Sequence, residues 1–81
     1  MPQVSRPEFT LLTRLDCGLC AEMRTALHTQ AGGRPYLCHI QDVDEDGDTR
    51  RQWGLRIPVL LVGQRLICEG HFDSARVEME F

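Results

Sequence analysis

Cysteines stand at positions 17, 20, 38 and 68 of an 81-residue chain, and the first two are separated by only Gly18 and Leu19. A pair at that spacing can close a small disulfide ring, contribute to a metal site, or exchange electrons with another disulfide. A strand-like run stops at Asp16, just ahead of the pair, and a helical pattern starts just behind it. Cys17 is thereby placed at a helix N-terminus, where unpaired backbone N–H groups and the helix dipole favour the thiolate. Cys20 follows one turn later. The arrangement suits a two-step exchange, in which Cys17 attacks a disulfide and Cys20 resolves the mixed disulfide that results. Arg14 at the end of the preceding run would favour ionisation of Cys17, and Asp16 would oppose it.

The elements that must position these thiols follow from periodicity. Glu8 to Arg14 reads as a strand, bounded by Pro7 and Asp16. From Gly18 onward, Leu19, Cys20, Met23, Ala26 and Leu27 recur at spacings of three and four, the stripe of an amphipathic helix that Gly32-Gly33 ends. Residues 35–44 read as a strand running into an acidic loop, and residues 48–54 as a short helix anchored by Trp53. The apolar run at 57–62, the pair Gly63-Gln64 and the run at 65–70 predict a hairpin with a two-residue turn. Residues 71–81 carry Phe72, Ala75, Val77 and Met79 among charges, an imperfect helical pattern. The order is βαβαββα. Its first half favours a parallel strand pair with a right-handed crossover, and its hairpin adds antiparallel strands to make a four-stranded mixed sheet flanked by helices.

Composition excludes several classes of function. Hydrophobic residues make up 42% and charged residues 26%, enough for a core without cross-links, and the length implies a single domain over 1–81. Net charge is -3, and the nine basic residues, all Arg, form no cluster beyond Arg50-Arg51. No nucleic-acid partner is expected. The first nine residues lack the apolar segment of a secretory signal, and no run approaches the ~20 residues of a membrane span. A cytoplasmic location is therefore expected, where thiols are kept reduced and closely spaced cysteines point to catalysis or metal binding.

Strand, CGLC, helix and then WGLRIPVLL at residues 53 to 61 resembles the thioredoxin superfamily, and within it the short glutaredoxin-like proteins, over nearly the whole chain. The resemblance implies an α/β thioredoxin-like fold and a thiol-disulfide oxidoreductase of cell redox homeostasis. It implies Cys17 and Cys20 as the redox pair, a cis Pro58 beside them, and Ile57 offering backbone groups to a substrate. Arg14 matches the basic position three residues before the first cysteine. Of the glutathione-binding motif GGxDD, the segment EGHFD keeps Gly70 and Asp73, while Glu69 and Phe72 replace a glycine and an acid. Protein disulfides are the implied substrates and glutathione a candidate co-substrate. No tightly bound cofactor and no metal are expected, and the chain is expected to be a monomer.

Other readings of the same residues stand beside this one. A noncatalytic binding module could use the same surface for docking. Cys68-Glu69-Gly70-His71 is a C-x-x-H that could complete a zinc site with the C-x-x-C. Acids at Asp42, Asp44 and Asp46 resemble the start of a calcium loop, but its twelfth position is Trp53 where a Glu is required. Adjacent Cys38 and His39 would face opposite sides of a strand, which makes Cys38 a buried filler. Cys68 near a strand end is either filler or exposed enough for modification. His28 and the helix-starting His71 read as solvated or capping residues, Trp53 as a packing anchor and the acidic run as a soluble loop.

Overall fold

The computed structural model describes residues 6–81. The expectation that the chain opens without a secretory segment falls partly on residues 1–5, outside the described residues. The elements are β1 (Glu8–Thr13), α1 (Gly18–Ala31), β2 (Leu37–Asp42), α2 (Gly47–Trp53), β3 (Val59–Val62), β4 (Arg65–Glu69) and α3 (Ser74–Glu78). They form one four-stranded sheet in the order β2-β1-β3-β4, with β1 parallel to β2, and β3 antiparallel to both β1 and β4. This is the mixed α/β sheet of the thioredoxin-like fold.

The alternation of β1 explains its central place. Phe9 and Leu11 point to one face and Leu12 to the other, and all three are buried because helices cover both faces. On the first face, Phe9 and Leu11 pack with Met23 and Leu27 of α1, Leu60, Ile67 and Val77 of α3. On the second, Leu12, Val43 and Val59 form a smaller cluster against Trp53 of α2, Ile57, Leu61 and Leu66. Trp53 is thus a packing anchor, and Arg56 lies over its ring at 4.4 Å.

Helix ends follow the capping residues. Gly32 takes a left-handed conformation (φ 58°) at the C-terminus of α1. Asp46 caps α2 by accepting from the Thr49 N–H at 3.0 Å, which starts the helix one residue before the sequence pattern does. Asp73 caps α3 in the same way through the Arg76 N–H at 3.1 Å. The helix predicted across 71–81 is therefore confined to Ser74–Glu78, and His71 lies ahead of it. Gly63, at φ 60°, turns the β3–β4 hairpin between the paired Val62 and Arg65. The hairpin register also shifts between Leu60 and Leu61. Among the described residues, no helix is long and apolar enough to cross a membrane.

Candidate functional site

Strand directions gather the chemistry at one end of the sheet. Thr13, the last residue of β1, pairs with Asp42 at the end of the parallel β2. Val59 at the start of the antiparallel β3 lies between Leu12 of β1 and Glu69 at the end of β4. The loops holding Cys17, Asp44, Pro58 and Gly70 consequently leave the sheet at the same edge.

Asp16 adopts φ 60°, the left-handed region that Asp tolerates better than most residues, and turns the chain into α1. Cys17 is the N-cap itself, with extended backbone, and its Sγ accepts from the Cys20 N–H at 3.2 Å. Cys17 is half-buried, whereas Cys20 is only 4% exposed. The two are joined as a disulfide across a Cα–Cα distance of 5.2 Å. In the reduced chain, the outer sulfur would face solvent with a backbone donor aimed at it, and the inner sulfur would be shielded.

Arg14 lies on the same groove as Cys17, but its guanidinium is already engaged. It donates from Nε and Nη2 to the two oxygens of Asp44, at 2.7 and 2.9 Å, and from Nη1 to the Gly54 carbonyl at 3.1 Å. The hydrogen bonds from Arg14 hold the Asp44 carboxyl below its ordinary range, and Asp44 raises Arg14 in turn. Gly54 has no room for a side chain, since a Cβ would stand 2.5 Å from the Arg50 carbonyl and 3.4 Å from Nη2 of Arg14. The acidic run is therefore a partner for the site-flanking arginine and a helix cap, beyond the solvated loop that its composition suggests.

The Ile57–Pro58 peptide is cis. Pro58 is buried, its carbonyl accepts from the Gly70 N–H at 2.7 Å, and Ile57 packs half-buried on the smaller core cluster. Gly70, at φ 72°, shares a small cavity of about 150 Å³ with Leu19, the second of the residues between the cysteines. Asp73 stands apart, beside Cys68, His71 and Phe72, with its carboxylate occupied in capping α3. The structure thus brings Cys17, Cys20 and Arg14 onto one groove and bonds Pro58 to Gly70. Glu69, an added negative charge in the glutathione motif, is paired with Arg56, with Nη2 to Oε1 at 2.9 Å.

Cys68 is buried within the larger core cluster, and Cys38 is half-buried against it. Burial pushes both thiols up, with Arg24 partly opposing this at Cys38. The exposed alternative for Cys68 is thereby corrected: its side chain points into the core beside Leu60 and Ile67. Cys38 is less enclosed than a buried filler would be. Among the described residues, no three His, Cys, Asp or Glu side chains come together as a metal site. Sequence reasoning missed Asp44 and Gly54 as partners of Arg14. No local signal marks them, since both contacts span 30 or more positions of sequence.

A mixed sheet of this order with a C-x-x-C pair capping its first helix defines a thioredoxin-like protein with a redox role. The chain belongs to the glutaredoxin-like domain family (DUF836), whose model matches residues 8–81. Similar solved structures include the solution NMR structure of protein Ne2328 from Nitrosomonas europaea. It has 23% identity and a TM-score of 0.84, over 98% of this chain and 95% of that one. A protein from X. campestris, solved by X-ray, has 29% identity and a TM-score of 0.62, over 88% of this chain and 91% of that one. No curated protein matches the chain.

Proposed function

We propose that the protein is a glutaredoxin-like thiol-disulfide oxidoreductase of cell redox homeostasis, acting in the cytoplasm as a monomer on protein disulfides. The observation that carries this reading is the placement of Cys17 at the N-cap of a 14-residue helix, bonded to a Cys20 that is shielded from solvent. In the reduced state the Cys20 N–H and the helix dipole stabilise the Cys17 thiolate. That thiolate attacks one sulfur of a substrate disulfide, forming a mixed disulfide and expelling the other sulfur as a thiolate. Cys20, deprotonated as it reacts, then attacks Sγ of Cys17 and releases the second substrate thiolate. The substrate gains two electrons and the protein dithiol becomes a disulfide. A thiol reductant, glutathione or a dithiol protein, returns it to the dithiol, and no tightly bound cofactor takes part.

The test is equilibration of the protein in a series of glutathione redox buffers, followed by thiol trapping and mass spectrometry. A Cys17–Cys20 disulfide that forms and breaks reversibly across the series is expected. Cys17→Ser should abolish exchange, and Cys20→Ser should leave a mixed disulfide on Cys17. If Cys17 and Cys20 remain unpaired throughout, the reading fails. A noncatalytic docking module would instead keep its partner after Cys17→Ser.

A further inference from the structure

We infer that the groove between the first half of α1 and the end of the edge strand β2 receives the chain next to the substrate disulfide, and that this chain is an extended apolar protein segment carrying a carboxylate about three residues from the attacked cysteine. The inference rests on the exchange reading above and names the substrate class.

An open groove of about 710 Å³ lies directly beside the dithiol. Its lining includes Leu11, Leu15, Ala21 and Ile40, with Cys17 at one end and Arg24 farther along α1. Leu15 is 89% exposed and Ile40 44% exposed. Isolated exposed leucines need no explanation, but here two of the large exposed apolar side chains, Leu15 and Ile40, face one groove. An apolar side chain next to the substrate cysteine would cover them.

Charge decides against glutathione as the preferred occupant. The charged lining is Arg14 and Arg24 against Asp16 and Asp42, so the signs balance, and Arg14 is engaged by Asp44 and the Gly54 carbonyl. An anion close to Cys17 therefore meets aspartates and no open cation. Arg24 is exposed and, among the described residues, makes no ion pair or hydrogen bond. It stands seven positions after Cys17 on the helix, roughly 10 Å along the axis, a distance an extended chain covers in about three residues. The glycine carboxylate of glutathione lies one residue from its cysteine and its γ-glutamyl carboxylate about two residue lengths away, both short of the roughly 10 Å to Arg24. A protein segment with an acid farther from its cysteine reaches it.

The experiment uses the full chain, reduced beforehand and freed of reductant, in single turnovers against four disulfides. Two are peptide disulfides with Leu next to Cys and either Glu or Lys three residues away; the others are glutathione disulfide and the small neutral hydroxyethyl disulfide. Wild type should reduce the Glu peptide fastest, ahead of both the Lys peptide and glutathione disulfide. Arg24→Glu should lower the ratio of Glu-peptide to Lys-peptide rates by roughly fivefold, the scale of exposed charge pairs, and about 1 M salt should erase the ratio. A general loss of reactivity in the variant cancels in that ratio. The groove assignment is overturned if wild type reduces glutathione disulfide as fast as the Glu peptide, or if Arg24→Glu leaves the ratio unchanged. If wild type reduces none of the four, hydroxyethyl disulfide included, the exchange reading itself fails and the groove assignment falls with it.

Discussion

Arg14 grips Asp44 with two arms of its guanidinium across 30 positions of sequence, and its third arm reaches the carbonyl of Gly54. Three segments are tied by one side chain: the turn that leads to Cys17, the acidic loop after β2, and the end of α2 that runs on to Pro58. The charge of Arg14, expected to favour ionisation of Cys17, is paired with Asp44. Arg14 is a positioning residue for the loops around the dithiol. Arg14→Gln and Asp44→Asn should each lower thermal stability. Since both break the Arg14–Asp44 pair, and Arg14→Gln also gives up the bond to Gly54, the double variant should melt within about 3 °C of the weaker single variant. The four melting temperatures of this cycle are the check; fully additive losses would show that the two residues act apart.

Gly54→Ala should weaken the same junction from the other side. The added methyl would meet the Arg50 carbonyl at 2.5 Å, a backbone atom that cannot swing away, and would crowd Nη2 of Arg14. Overpacking at a buried position costs about 1–3 kcal/mol. A urea titration should therefore show a lower midpoint with an unchanged slope. A midpoint equal to wild type would mean that α2 shifts freely to admit the methyl.

The parts of this molecule that were legible in its sequence are those written locally. The stripe of Cys20, Met23 and Leu27 marks α1, β-branched and aromatic content between Pro7 and Asp16 marks β1, and Gly63-Gln64 marks the hairpin turn. The C-x-x-C pair could be placed at a helix start because a strand-like run stops just ahead of it and a periodic helical stripe starts just behind it. The partner of Arg14 was not legible, because an ion pair across 30 residues leaves no periodic trace. The length of α3 was obscured for a related reason: Phe72 and Met79 fit a helical stripe, but Asp73 caps the helix after Phe72, and Met79 is 83% exposed at its end. The burial of Cys68 depends on a strand register that shifts between Leu60 and Leu61, a detail of pairing that composition does not carry.

The four thiols should differ in reactivity once the Cys17–Cys20 disulfide is reduced. Only thiolates are alkylated readily, and burial raises the Cys38 and Cys68 thiols, whereas Cys17 has a helix N-terminus and partial exposure. Iodoacetamide at neutral pH should label Cys17 first, well ahead of Cys38 and Cys68. Peptide mass spectrometry over a time course reads the order directly. Equal labelling of Cys17 and Cys68 would contradict both the burial of one and the activation of the other.

Acid should release the contact between the end of α1 and α3 in a defined window. Glu78 accepts from Arg34 at 2.6 and 2.9 Å and from Gln30 at 2.6 Å, and these hydrogen bonds, with Arg34 the larger influence, lower its carboxyl to about 2 from an ordinary value of 4.5. A carboxyl held lower in the folded chain than in the unfolded one stabilises the fold above the unfolded value. That contribution is lost as pH falls through the folded value. Glu78→Gln removes the titrating group while Asp44, Asp46, Glu69 and Glu80, also lowered by their partners, remain in both proteins. The difference in urea midpoint between wild type and Glu78→Gln should therefore be greatest above about pH 5 and shrink steadily as pH falls from 4.5 toward 2. A difference that stays constant across that range would show that the Arg34–Glu78 pair, exposed as it is, adds no pH-dependent stability.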